Sequence, residues 1–236
     1  MTAENPPAMR TFGDPGELAT HLAGYAAKRL ADGVARRGSA SLVVSGGSTP
    51  APFFRALSTL RLPWEKVWIT LADERWVDPA DPASNEHLVR TNLLRGAAKQ
   101  AFFVPLKNSA PTAAEGEEAC RQALARIPRP FDLVILGMGT DGHTASLIPG
   151  AAGLEQALSP QSTRICAPIK PAGNGIERMT LTLPALLDAR EIIVHITGRD
   201  KRETLNEALK SGSPDRMPIR HVLRRTTVPL QIYWAP

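Results

Sequence analysis

The amino-acid sequence predicts an α/β fold built on one doubly wound, mainly parallel sheet with helices on both faces. Short apolar runs rich in β-branched residues alternate with longer segments of helical periodicity, which is the pattern of strands joined by crossover helices. The runs are continuous rather than alternating, as expected of strands covered on both faces. A chain of 236 residues without a strong linker suits one domain, so we expect a single Rossmann-like domain over residues 1–236.

Six strands and four helices are predicted in order along the chain. The clearest strand contains four consecutive apolar residues, Leu133 to Leu136, and the first helix places Leu18, Leu22 and Leu30 on one stripe. Ligands of such sheets bind outside the carboxyl ends of the strands, so the residues that follow each strand are the candidates for function. The predicted strands cover residues 41–45, 66–71, 132–136, 164–169, 191–196 and 229–234. The predicted helices cover residues 17–36, 86–94, 113–127 and 201–209.

Composition places the chain among ordinary globular proteins. Hydrophobic residues make up 43% and charged residues 22% of the sequence, which argues against disorder. Cys120 and Cys166 do not form a C-x-x-C pair, so we expect neither a disulfide scaffold nor a metal site. We expect both cysteines to be small core residues of a protein in a reducing compartment. No apolar run reaches the ~18 residues of a membrane span, and residues 1–10 lack the apolar stretch of a secretion signal. We therefore expect a cytoplasmic protein with no membrane partner.

The net charge of +5 leaves three kinds of partner open: nucleic acid, a membrane surface or a small anion. The cations are scattered, with only short clusters at residues 36–37, 199–202 and 224–225. A nucleic-acid binder would show a basic stripe interleaved with aromatic residues. We therefore expect no nucleic-acid partner and favour a small anionic molecule.

The first predicted strand runs into a glycine-rich loop, Ser45-Gly46-Gly47-Ser48-Thr49-Pro50. Two glycines permit unusual backbone angles, serine or threonine can cap the following helix, and proline suits its first position. Backbone N–H groups at such a helix start bind anions. Gly46, Gly47, Ser48 and Thr49 are therefore candidate phosphate ligands, and the alternative is a tight turn before a well-capped helix.

The second predicted strand ends in three charged residues, Asp73, Glu74 and Arg75. The guanidinium of Arg75 suits bidentate contacts with phosphate oxygens. Asp73 or Glu74 could then orient Arg75 or bind sugar hydroxyls. All three are candidate substrate-binding residues, and the alternative is a solvated loop.

The third predicted strand is followed by Gly137-Met138-Gly139-Thr140-Asp141-Gly142-His143. The glycines match G-x-G-x-x-G, but a dinucleotide site also needs an acid at the end of the next strand. No acid stands there, so we expect no nucleotide cofactor. A histidine at this edge can act as a general acid or base near neutral pH, and Asp141 can orient it. Asp141 and His143 are the candidate catalytic pair, and the alternative is a surface histidine on a glycine-rich turn.

Two further cations are candidate phosphate ligands. Lys201 belongs to a charged run after the fifth predicted strand, where cations near a helix start oppose the helix dipole unless an anion offsets them. Arg178 precedes a stretch of alternating apolar and polar residues over 179–183. Solvated surface charge is the alternative for both. The remaining histidines are expected to be structural or solvated: His21, His87, His195 and His221.

Taken together, these segments resemble the 6-phosphogluconolactonase family. The resemblance rests on residues 45–50, on 73–77 with Ser84-Asn85, and most specifically on 137–147, while 178–182 and 198–201 fit its later segments. It covers residues 41–209 and, less distinctly, the whole chain. In the related glucosamine-6-phosphate deaminases the Asp-Gly-His element continues into Asn-Glu-Pro, whereas this chain has Leu147-Ile148-Pro149. The missing carboxylate favours the lactonase.

The resemblance implies hydrolysis of 6-phospho-D-glucono-1,5-lactone to 6-phospho-D-gluconate in the oxidative pentose phosphate pathway, with no cofactor and no metal. It implies that His143 assists the attack of water, that Asp141 orients His143, and that Arg75, Arg178 and Lys201 hold the phosphate. The expected partner is a small phosphorylated lactone, and a monomer is favoured. A sugar-phosphate isomerase or deaminase and a non-enzymatic sugar-phosphate sensor are the alternatives, and the Asp141–His143 pair favours an enzyme.

Overall fold

The structure is a computed structural model that describes residues 7–224 and 228–236. Residues 1–6 of the amino-terminal segment and Arg225 of the cation cluster at 224–225 lie outside the described residues. The strands are β1 (Ala8–Thr11), β2 (Ala40–Val44), β3 (Val67–Leu71), β4 (Asp73–Arg75), β5 (Phe102–Val104), β6 (Leu133–Leu136), β7 (Cys166–Ile169), β8 (Arg178–Leu181), β9 (Ile192–Thr197) and β10 (Leu230–Ala235). The α-helices are α1 (Pro15–Arg37), α2 (Ala51–Ser58), α3 (Asn85–Asn92), α4 (Ala113–Leu124), α5 (Leu154–Leu158), α6 (Leu183–Leu187), α7 (Arg199–Leu209) and α8 (Ile219–Leu223).

The main sheet has seven strands in the order β1-β10-β9-β6-β2-β3-β5. Every neighbouring pair in it is parallel. All residues of β2 and β6 are buried, which explains the uninterrupted apolar sequence of β6 and the single polar residue, Ser41, of β2. The predicted parallel α/β fold is confirmed, and five of the predicted strands correspond to β2, β3, β6, β9 and β10.

The order of the strands places a crevice between β2 and β6. From β2 the chain builds outward through β3 to β5, and from β6 it builds in the opposite direction through β9 to β10. Such a reversal is a topological switch point, where the loops after the two central strands separate and leave room for a ligand. The Ser45 amide donates to the Ile135 carbonyl at 3.1 Å, so the two strands stay paired up to the start of their loops.

A second, antiparallel sheet with the order β4-β8-β7 corrects one prediction. Residues 164–169 were expected in the parallel sheet, but β7 lies at the edge of this smaller sheet. The only α-helix between β6 and β7 is α5, which has five residues and is too short for a parallel crossover, whereas β7 and β8 form an antiparallel pair across one loop. Pro168 has no N–H to donate and is tolerated on an edge strand.

The predicted helices correspond to α1, α3, α4 and α7. Asp14 caps α1 by accepting hydrogen bonds from the amides of Gly16 and Glu17, as expected of an N-cap aspartate. Cys120 and Cys166 are buried and free, which confirms the prediction that they are core residues. Within the described residues, no helix is both long enough and apolar enough to span a bilayer.

Candidate active site

A cavity of about 200 Å³ opens at the carboxyl edge of the main sheet. It is lined by residues that follow β2 and β6 and by side chains from β4, β8 and α7. Two predicted site residues, Glu74 and Asp141, do not line it. The predicted residues that do are Gly46, Gly47, Ser48, Thr49, Asp73, Arg75, His143, Arg178 and Lys201. Other lining residues include Phe53, Asn85, Met138, Thr144 and His195.

One wall is the loop between β2 and α2, which we call the anion cradle (residues 45–50). Gly47 has a φ of 93°, a left-handed conformation that favours glycine. The N-cap position of α2 is occupied by Pro50, which has no side-chain acceptor, and no hydrogen bond from a side chain caps this helix. The expectation that Ser48 or Thr49 caps it is therefore wrong. Pro50 and Phe53 at this helix start line the cavity, and backbone N–H groups at a helix start suit an anionic ligand.

His143 and Asp141 form a hydrogen-bonded pair at the loop after β6. The His143 Nδ1 atom lies 2.5 Å from Asp141 Oδ1, and the His143 amide donates to the same oxygen at 3.0 Å. Hydrogen bonding from the His143 side chain lowers the pKa of Asp141 to about 2. A charged carboxylate only accepts hydrogen bonds, so Nδ1 carries the proton and Nε2 of the neutral ring is an acceptor.

The glycines of this loop shape it around His143. The Gly139 amide donates to the His143 carbonyl at 2.9 Å, and the Gly142 amide donates to the Gly139 carbonyl at 3.0 Å. A Cβ atom on Gly139 would lie 2.2 Å from His143 Cε1, so only glycine leaves room for the ring. The next α-helix begins at Leu154, whereas a dinucleotide fingerprint opens directly into a helix. The G-x-G-x-x-G match therefore does not open a helix as a dinucleotide fingerprint does, and Gly139 instead makes room for the His143 ring.

Arg75 and Arg178 lie opposite each other on the neighbouring strands β4 and β8 of the second sheet. They are direct partners in the antiparallel register of β4 and β8, where like charges destabilise a pair. Arg178 NH1 lies 3.7 Å from Asp73 Oδ2, but its buried Nε has no hydrogen-bond partner among the described residues. Burial lowers the pKa of Arg178, and Asp73 opposes this. The charges of Asp141 and Glu74 also raise the pKa of Arg178, and that of Arg75 lowers it. Both guanidinium groups line the cavity, where they suit an anionic ligand.

Two acidic side chains of β4 support this region in different ways. Asp73 is 5% exposed and accepts a 2.6 Å hydrogen bond from Ser146 Oγ in addition to its contact with Arg178. Glu74 is fully buried, and its carboxylate faces the start of α3. The sequence predicted both as substrate-binding residues, and only Asp73 reaches the cavity.

Sequence reasoning did not identify His195, which lines the cavity from β9. It is 4% exposed, and burial together with the nearby charge of Lys201 lowers its pKa to about 4. The Lys201 Nζ donates to Thr49 Oγ1 at 3.5 Å, which joins α7 to the anion cradle. The only sequence signal for His195 is its place near the carboxyl end of a parallel strand. Among the described residues, no group of three or more His, Cys, Asp or Glu side chains is arranged to hold a metal ion.

The fold and the site define an α/β enzyme with a cationic pocket beside a histidine–aspartate pair. The chain belongs to the family Glucosamine-6-phosphate isomerases/6-phosphogluconolactonase, which it matches over residues 13–234. It is 48% identical over 228 residues to the 6-phosphogluconolactonase of Rhizobium meliloti (strain 1021), covering 97% of this chain and 98% of that protein. The 6-phosphogluconolactonase of Mesorhizobium japonicum is 47% identical over 225 residues, covering 95% and 94%.

The solved structure of a 6-phosphogluconolactonase from Shewanella baltica OS155 has the same fold. It superposes with a TM-score of 0.96 at 42% sequence identity and covers 100% of both chains. These comparisons confirm the family and the hydrolytic class of enzyme predicted from the sequence.

Proposed function

We propose that this chain hydrolyses 6-phospho-D-glucono-1,5-lactone to 6-phospho-D-gluconate, the hydrolytic step of the oxidative pentose phosphate pathway. The observation that carries the proposal is that one cavity contains the facing Arg75–Arg178 pair and the hydrogen-bonded His143. The first group suits a phosphate, and the second suits a general base. The names of the relatives at 48% and 47% identity support the same substrate.

The phosphate anchor consists of Arg75, Arg178 and Lys201. Guanidinium groups match the oxygens of a phosphate in pairs, and lysine adds a point charge. The anion cradle lies beside Lys201 and supplies backbone N–H groups. Binding the phosphate at a distance from the lactone carbonyl holds C1 in a fixed orientation, and this orientation lowers the barrier to attack.

His143 acts as the general base. Its Nε2 takes a proton from a water molecule as the water oxygen attacks C1, and the protonated ring is stabilised by the Asp141 carboxylate at Nδ1. The carbonyl oxygen becomes an oxyanion, for which the N–H groups around Gly46 and Gly47 are the donors of this proposal. Because a lactone is an activated ester, this route needs no covalent intermediate.

The tetrahedral intermediate then collapses. The bond between C1 and the ring oxygen breaks as the oxyanion re-forms a carbonyl, and the proton on Nε2 passes to the departing ring oxygen. His143 returns to its neutral form, and the product carries a carboxyl group at C1 and a free hydroxyl at C5. No atom or charge is left on the protein, so the site is ready for a second turnover.

The test is to follow freshly prepared lactone by time-resolved NMR with and without the protein, subtracting spontaneous opening. We expect rapid opening of the phosphorylated lactone, slower opening of unphosphorylated glucono-1,5-lactone, and no deamination of glucosamine 6-phosphate. Turnover of the amino sugar instead of the lactone would assign the chain to the deaminase branch. Opening at the spontaneous rate would refute the proposal.

The anchor is tested by calorimetry with 6-phosphogluconate. Arg75→Ala and Lys201→Ala are each expected to weaken its binding by about tenfold or more, since a hydrogen bond to a charged group contributes about 1.5–3 kcal/mol. Arg121→Ala is the matched control, because Arg121 is exposed and pairs with Glu118 on α4. Normal binding by both anchor variants would show that the phosphate lies elsewhere.

A further inference from the structure

Glu74 is a buried carboxylate that does not line the cavity, yet it is fully hydrogen-bonded. Its Oε1 accepts from the amides of Arg75 at 2.7 Å and Asn85 at 2.8 Å. Its Oε2 accepts from the Glu86 amide at 2.7 Å and from Ser84 Oγ at 3.0 Å. Each oxygen therefore serves two donors, and the carboxylate fixes the start of α3 against β4.

Glu74 completes the cap of α3 from strand β4. Ser84 Oγ accepts only from the His87 amide at 3.1 Å, and the amides of Asn85 and Glu86, which also lack partners within the helix, are satisfied by Glu74. A buried carboxylate carries a desolvation cost, and burial is the largest influence on Glu74, whose pKa it raises. The position of α3 relative to β4 is what the extra carboxylate adds.

The residue held by this contact is Asn85, whose side chain lies at the junction of the site. Asn85 Oδ1 accepts from Arg75 NH1 at 2.8 Å, and Asn85 Nδ2 donates to the Asp73 carbonyl at 2.8 Å. A Cβ atom on Gly46 would lie 1.8 Å from Asn85 Oδ1, so the amide packs directly on the anion cradle. Asn85 thus connects β4, the cradle and the Arg75 guanidinium.

We propose that Glu74 is a positioning residue for the phosphate anchor and acts through Asn85 on Arg75. The inference rests on the proposed function, in which Arg75 binds the phosphate. Glu74 sets the place of the Asn85 backbone. The Asn85 amide, together with the Ala83 carbonyl at 2.9 Å, holds NH1 of Arg75 where the guanidinium lines the cavity. Glu74 therefore influences the binding of phosphorylated ligands without touching them.

A double-mutant cycle between Glu74 and Arg75 tests this inference, with the dissociation constant of 6-phosphogluconate measured by calorimetry. In Glu74→Gln one oxygen becomes an NH₂ group that faces two donors, so two of the four hydrogen bonds are lost and the contact with α3 is weakened. We expect about tenfold weaker binding in the wild-type background and less than a twofold effect in the Arg75→Ala background. The KM for the lactone should rise in parallel, with kcat changed by less than about threefold.

Two further variants keep the test decisive. Glu86→Gln is the matched control, since Glu86 is buried in the same helical turn but pairs with Arg90, and it should bind 6-phosphogluconate normally. Asn85→Ala removes the connecting amide without altering a buried charge, and its effect should also vanish in the Arg75→Ala background.

The outcomes separate the two proposals. Normal binding by Arg75→Ala would overturn the phosphate anchor and this inference with it. Weak binding by Arg75→Ala together with normal binding by Glu74→Gln, or full additivity of the two effects, would overturn the role of Glu74 alone. If Glu74→Gln does not fold, normal binding by Asn85→Ala would overturn the connection through the amide.

Discussion

Replacing Gly139 by alanine tests the position of His143 without changing any catalytic group. The added Cβ would lie 2.2 Å from His143 Cε1 and 2.3 Å from its Nδ1. The ring must retreat by roughly 1 Å to regain an ordinary contact. A misplacement of about 1 Å typically lowers a catalytic rate by about 100-fold. We therefore expect kcat for the lactone to fall by about 100-fold.

The assay is NMR of fresh lactone, with the spontaneous rate subtracted and thermal unfolding recorded in parallel. Gly137→Ala is the matched control in the same loop, because its Cβ would meet only Ser45 Cβ at 3.9 Å, an ordinary contact. Binding of 6-phosphogluconate should be nearly unchanged in both variants. A folded Gly139→Ala protein with wild-type kcat would refute the placement of His143 as the base.

Three further results are expected. In Gly46→Ala the new Cβ would lie 1.8 Å from Asn85 Oδ1, so calorimetry should show binding of 6-phosphogluconate weakened by about tenfold; unchanged binding would contradict the close packing. Asp141→Asn removes the charge that holds Nδ1–H of His143, and kcat should fall by about 100-fold with little change in product binding; a wild-type rate would contradict the pairing. The pKa of His195, about 4, lies below its ordinary value of 6.5. The unfolded chain therefore binds more protons than the folded one as the pH falls, and denaturant melts should show the free energy of unfolding fall by about 2 kcal/mol between pH 7 and pH 5. The fall should be smaller in His195→Gln, because glutamine does not titrate.

The main sheet could be predicted because buried parallel strands leave a direct trace in the sequence. Runs such as Leu133 to Leu136 have no polar interruption, and the helices between them bury one clear stripe. The second sheet left only a partial trace, because β7 was predicted as a strand but was placed in the wrong sheet. The other edge strand of this sheet, β4, consists of three charged residues, Asp73–Arg75, and forms because it pairs with Arg178–Leu181. Cross-strand pairing of this kind depends on tertiary structure rather than on local pattern.

The candidate site was predictable where it follows the parallel strands. Gly46, Gly47 and His143 stand directly after β2 and β6, and the edge rule for such sheets is sufficient to place them together. The distinction between Asp73 and Glu74 was not predictable, because adjacent residues of a strand point to opposite sides and only the structure shows which side faces the cavity. His195 was missed because a histidine inside an apolar strand resembles a core residue.

The most direct test of the account is the rate of lactone hydrolysis by His143→Ala. Time-resolved NMR of fresh 6-phospho-D-glucono-1,5-lactone gives the enzyme-dependent rate after spontaneous opening is subtracted, and calorimetry gives the binding of 6-phosphogluconate. The account predicts a kcat lower by about 10²–10⁴-fold with product binding changed by less than about threefold. A folded variant that opens the lactone at the wild-type rate would contradict the role of His143 as the general base.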